Sequence, residues 1–141
     1  MPISEENKKL YPKDWKDIRV AILKRARCRC ERCGVPNHLY GCRINTGPRS
    51  LQGAFVELPN QSRGRELHRR KIDWFKVWGI NYTGMIMNDS KVIRIVLTIA
   101  HLDHDPTNND PDNLAALCQR CHNKHDAKHR AATRKKKKDA K

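Results

Sequence analysis

The sequence predicts a small α+β domain with an N-terminal helix and a long insertion, and three observations lead there. An apolar set at helical spacing, Trp15, Ile18, Ile22, Leu23 and Ala26, delivers the chain to Cys30-Glu31-Arg32-Cys33. A second C-x-x-C pair stands far along the chain at Cys118 and Cys121, so the fold must close residues 34–117 into a loop if the pairs are to meet. The chain is also polar: 141 residues with 38% hydrophobic content and a mean hydropathy of −0.86 leave little apolar surface for a core. Something besides burial must help hold it.

The first helix starts after Pro12 and turns Lys16, Arg19, Lys24 and Arg25 outward. Gly34 follows the first cysteine pair, where a residue tolerant of positive φ relieves a tight turn. Residues 35–66 are rich in Pro, Gly, Asn and Ser with little periodicity, which indicates loop with short strands at most. Leu67 to Trp78 has the pattern of a second helix ended by Gly79. Its Trp74 and Trp78 share a face, and two readings stand: core aromatics, or an aromatic and basic face for nucleic acid. Met85-Ile86-Met87, the turn Asn88-Asp89-Ser90 and Val92 to Ala100 are expected to form a β-hairpin. The second of these strands is apolar almost throughout and ends at His101.

Charge narrows the function. Thirty Lys and Arg against fifteen Asp and Glu give a net charge of +15, beyond what solubility asks, and favour a polyanionic partner such as nucleic acid. A basic coat without chemistry carries the same charge. From Lys124 onward, nine Lys or Arg face two Asp, and Arg134 to Lys138 offers no apolar face. Residues 131–141 are therefore expected to form a flexible basic tail, behind a single domain at 1–130 into which 34–91 is inserted. The opening MPISEENKKLYPKDW has no apolar stretch of the signal-peptide kind, and no window approaches a membrane span. An intracellular chain with no membrane partner is expected.

In a reducing compartment six cysteines are better explained as metal ligands than as disulfides. Cys30, Cys33, Cys118 and Cys121 match the number and type of ligand that a closed tetrahedral zinc site takes. Cys28 and Cys42 lack a partner at that spacing and read as spare thiols. A redox C-x-x-C is the competing explanation, but no βαβ pattern surrounds either pair. Zinc deaminases need an upstream His-x-Glu, and none occurs here.

The segment AHLDHDPTNNDPDNLAALCQRCHNKHD, residues 100–126, resembles the HNH endonuclease motif. A strand ends on His101, a loop follows, Asp112-Asn113-Leu114 returns the chain, and Cys118-Gln119-Arg120-Cys121-His122 opens a helix. The stretch WKDIRVAILKRARCRCERCG is similar to the helix and cysteine pair that precede the motif in many members. The likeness covers about residues 12–33 and 92–130, under half the chain. It implies a treble-clef-like ββα-metal fold, a structural zinc on the four cysteines, and hydrolysis of phosphodiester bonds with a divalent ion, Mg²⁺ or Mn²⁺. Double-stranded DNA is the first choice of substrate.

By position the resemblance makes His101 the general base, Asn113 the residue that fixes the loop or the ion, and His122 a ligand of the catalytic ion. Asp126 lies four residues after His122, on the same helical face. The family places Asp or His immediately before the base, and here that position is Ala100, which cannot coordinate. Asp103 or His104 is then expected to supply the ligand, or Asp103-His104 is itself the acid and histidine pair. The alternative function is a zinc-stabilised nucleic-acid-binding module whose HNH-like site does not cleave.

Overall fold

The computed structural model describes residues 8–44, 49, 52–69 and 91–140. The chain divides into two compact units, Met1–Asn37 with Leu97–Lys141, and His38–Val96.

The first unit begins with helix α1, Trp15–Arg25, whose apolar side buries Ile22. Lys16, Arg19, Lys24 and Arg25 are exposed, as the spacing requires. The chain leaves α1 through Arg27 and Cys28, both at positive φ (50° and 52°), and turns into the first cysteine pair. Two strands follow much later, β4 at Leu97–His101 and β5 at Leu114–Cys118. They pair antiparallel, with Leu97 opposite Cys118 and His101 opposite Leu114. Leu97, Ala100, Leu114, Ala116 and Leu117 are almost fully buried there. The last element is helix α3, Gln119–Asp139, which starts directly from β5.

The Arg25 and Glu31 side chains tie the early part of this unit to the late part. Arg25 donates to the carbonyls of Pro111 (2.7 Å) and Leu114 (2.6 Å) and to both Glu31 carboxylate oxygens. Glu31 in turn accepts the Ala116 N–H at 2.6 Å, while its own N–H donates to the Ala116 carbonyl. The residue between Cys30 and Arg32 is therefore paired with β5 twice, through its backbone N–H and through its side chain. That pairing is how cysteines so far apart in sequence come together.

The second unit holds β1, Tyr40–Arg43, β2, Phe55–Glu57, and β3, Ile93–Arg94, in one antiparallel sheet of order β2-β1-β3. Cys42, Ile44, Leu58 and Val92 form its core, with Tyr40, Val56 and Leu67 packed on it. A single turn of helix, α2 at Gly64–Leu67, lies against Tyr40 so closely that a side chain at Gly64 would collide with the ring. The Gln61 amide serves as a strand substitute, accepting the Tyr40 N–H and donating to the Tyr40 and Leu58 carbonyls.

Several sequence expectations change. The apolar run Val92 to Ala100 is not one strand: Ile93–Arg94 pairs with β1, and Leu97–His101 pairs with β5. The partner of the strand that ends on His101 is thus 114–118; Met85-Ile86-Met87 lies outside the described residues. So do Trp74, Trp78 and most of the expected helix 67–78, of which Leu67 ends α2 and His68 is already extended (ψ 129°). The basic end is helical through Asp139, with residues 131–139 exposed. Among the described residues, no helix is long and apolar enough to cross a membrane. The described elements are those of a small α+β protein.

Candidate metal centre and cleft

The four cysteines predicted as ligands meet in the first unit. One sulfur from each of Cys30, Cys33, Cys118 and Cys121 lies within 4.8 Å of the others, and Cys33 Sγ is 3.6 Å from Cys118 Sγ. Local sequence explains each half. The Gly34 N–H closes the first turn on the Cys30 carbonyl (2.8 Å), with Gly34 at φ 72°. At the second pair the chain passes from strand to helix, so Cys118 ends β5 and Cys121 stands in the first turn of α3.

The electrostatics suit a cation. Burial works to raise the Cys30 thiol, yet backbone N–H groups of Cys118, Cys33 and Arg32 outweigh it and bring Cys30 down to about 7. Burial and the neighbouring thiols push Cys118 and Cys121 up. Four thiolates at this spacing repel one another unless a cation sits among them, and an all-sulfur set of four is what zinc takes. The four cysteines form a site that can hold zinc. All the cysteines are thiols rather than disulfides; Cys28 and Cys42 lie outside the cluster, Cys28 exposed and Cys42 buried.

One turn further along α3 a second group of ligand side chains assembles. Thr98 Oγ1 on β4 contacts His122 Nδ1 at 2.6 Å, which directs the other ring nitrogen, Nε2, toward Asp126 Oδ2 at 3.4 Å. The opposite carboxylate oxygen of Asp126 is 3.5 Å from His104 Nδ1. Asp126 is therefore placed between two imidazoles. Burial holds both His122 and His104 below the ordinary histidine range, and the nearby His125 and His129 add to the effect at His104.

His104 is held there by the loop that precedes β5. Asn113 donates to Asp103 Oδ1 (2.9 Å) and the Asn108 carbonyl (2.9 Å), and accepts the Asp103 N–H (3.1 Å). Asp103 also accepts from the Asp105 N–H and the Asn108 amide, and these bonds hold its carboxyl down at about 2. Asn113 thus fixes the loop, and Asp103 spends its oxygens on the same task.

The ring of His101 stands apart from this carboxylate group. It lies parallel to Trp15 with centroids 5.5 Å apart, and Tyr11 meets it edge on at 5.9 Å. Its Nε2 is 3.2 Å from Asn109 Oδ1. The Asn109 amide nitrogen donates to the Pro106 and Thr107 carbonyls, so its oxygen faces the imidazole. Nε2 is then the donor of this bond.

Tyr11 and Trp15 also line a cleft of about 500 Å³, together with Arg19, Thr98, His122, Asp126 and Arg130. Arg130 donates from Nη2 to the Asn123 carbonyl, while its Nε is buried without a hydrogen-bond partner. Sequence reading had not marked Tyr11, Trp15, His125 or Arg130 as site residues. Trp15 carries a core signal by its spacing, and only the fold turns its ring toward His101.

Compared with known proteins, the chain matches no family model, no curated protein and no solved structure.

Proposed function

We propose that the chain is a metal-dependent endonuclease of the HNH kind, hydrolysing phosphodiester bonds in DNA. The observation that carries this reading is Asp126, set between His122 and His104 at the wall of an open cleft that also presents Arg19 and Arg130. A carboxylate flanked by imidazoles suits a divalent ion, and two guanidinium groups suit a phosphate chain. Arg130 Nε, buried and without a partner, is the kind of donor that an anion in the cleft would satisfy. The net charge of +15 favours the same class of ligand.

His101, on this reading, takes a proton from the attacking water at Nδ1, with Asn109 fixing the tautomer and Trp15 the ring plane. Asn113 keeps the loop between His101 and β5 in one conformation. Arg19 and Arg130 hold and orient the phosphate. A divalent ion held by Asp126 would supply neutralisation of the charge that develops on the phosphate oxygens. Zinc held by the four cysteines would fasten the start of α3, from which His122 and Asp126 project.

A second reading has its own observation. The residue before His101 is Ala100, almost fully buried and without a ligand atom, where HNH sequences carry Asp or His. A module that binds nucleic acid and leaves it intact fits that feature. Incubation of the purified protein with supercoiled plasmid DNA and Mg²⁺, Mn²⁺ or Co²⁺, with a chelator control, separates the two. Metal-dependent nicking or linearisation supports the endonuclease; a mobility shift with intact plasmid in all three metals rejects it.

A further inference from the structure

We propose that His104, His125 and Asp126 form a second metal site, with two imidazoles and one carboxylate, selective for a transition ion of the Zn²⁺, Co²⁺ or Ni²⁺ class over Mg²⁺. This names the ion and ligands of the proposed nuclease centre and rests on that reading for the ion's task, though not for its binding. One ligand atom from each of the three residues lies within 4.8 Å of the other two, and all three are partly buried. His125 and Asp126 are consecutive on α3, and His104 reaches them from the loop after β4.

The surroundings are those of prepared ligands. His104 sits at φ 64°, a left-handed conformation that is costly for a non-glycine residue. Asn113 and Asp103 lock the loop around it. Its ring centroid lies 4.5 Å from that of His125 and 4.4 Å from that of His129, nearly parallel to the latter. His125 donates its Nε2–H to the His101 carbonyl at 3.3 Å, so Nδ1 is the ring nitrogen left for a metal. A bond from one ring nitrogen to a backbone carbonyl is the usual means of orienting a metal-bound histidine.

Donor chemistry sets the choice of ion. Mg²⁺ prefers oxygen ligands in an octahedron, whereas imidazole suits zinc and its neighbours in the transition series. Three protein ligands also leave a coordination position open, the arrangement of catalytic rather than structural zinc. Asp126 belongs both to this group and to the cleft wall. His122, bonded to Thr98, then meets the ion's carboxylate ligand from the other side and positions it.

The full chain, with its cysteine site saturated with zinc, should be titrated with Co²⁺ and followed by calorimetry and visible absorption. One further equivalent is expected, giving ligand-field bands without thiolate charge transfer and resisting competition by an equal concentration of Mg²⁺. His125→Gln and His104→Gln should each weaken Co²⁺ by about tenfold or more, since loss of an outer partner alone has that effect. Zinc content and circular dichroism report whether each variant folds. Absence of a further equivalent overturns the site, and so does an affinity lost in His122→Gln but kept in His125→Gln. Plasmid cleavage is scored separately: cobalt bound with DNA intact removes the nuclease reading alone, and cleavage without the second equivalent removes the site alone.

Discussion

The indole of Trp15 lies parallel to the imidazole of His101, with 5.5 Å between ring centroids and 11° between planes. Tyr11 closes on both rings, 4.8 Å from Trp15 and 5.9 Å from His101. A side chain from α1 thus restricts a histidine at the end of β4, and one ring face is kept from water. Burial also pushes the Tyr11 hydroxyl up, so that it stays protonated beside them.

Trp15→Leu tests the value of that contact. The variant should fold and keep its zinc, while cleavage falls by about a hundredfold, the scale on which a misplaced reacting group is felt. Gel assays of plasmid nicking measure it. Wild-type rates in Trp15→Leu would mean that the stacking is only packing.

His101→Ala should reduce cleavage by about a hundredfold or more, the usual scale of a lost general base, without loss of DNA binding. Extra metal ion should not rescue it. His104→Ala should respond to added ion, because a ligand rather than the base is missing. The reverse pattern would make His104 the base.

Cys30→Ser or Cys118→Ser should release zinc and unfold the first unit, since binding free energy of a structural zinc is folding free energy. Metal analysis beside circular dichroism decides it. A folded, zinc-free wild-type preparation would reject the structural role.

Glu31→Ala removes the acceptor of the Ala116 N–H and the partner of Arg25 in one change. Ala116 is fully buried, so its N–H is left without compensation from water. A loss of about 1–3 kcal/mol is expected in urea denaturation of the zinc-loaded protein. Glu31→Gln should recover part of it by restoring an oxygen acceptor.

The exposed basic end of α3 should contact phosphates. Truncation after Arg130 is expected to leave the zinc site folded and to flatten the dependence of DNA affinity on salt, because each lost phosphate contact lowers that slope. Titrations at several salt concentrations give the slopes. Equal slopes would show a helix that merely stays in solvent.

Thiol chemistry distinguishes the two cysteines outside the cluster. Burial in the second unit pushes Cys42 up to about 12, whereas Cys28 is exposed. Alkylation needs the thiolate, so iodoacetamide should label Cys28 in the native protein and Cys42 only after unfolding. Peptide mapping by mass spectrometry reads the order.

By itself the sequence determined α1, the strand end at His101, the return at Asn113, and the four cysteines as one ligand set. These are local signals: a 3.6-residue period, a strand closed by a polar residue, a fixed spacing of soft ligands. The break in the run Val92 to Ala100 was not legible, because an apolar stretch carries no mark of which strand it will pair with. Tertiary structure decided that Leu97–His101 belongs with 114–118 and Ile93–Arg94 with β1. The grouping of His104 with His125 was equally hidden, since neither spacing nor motif relates a loop residue to one helix turn. Their meeting depends on the Asn113 lock and on the β4–β5 register, which bring residues distant in sequence to one face of α3.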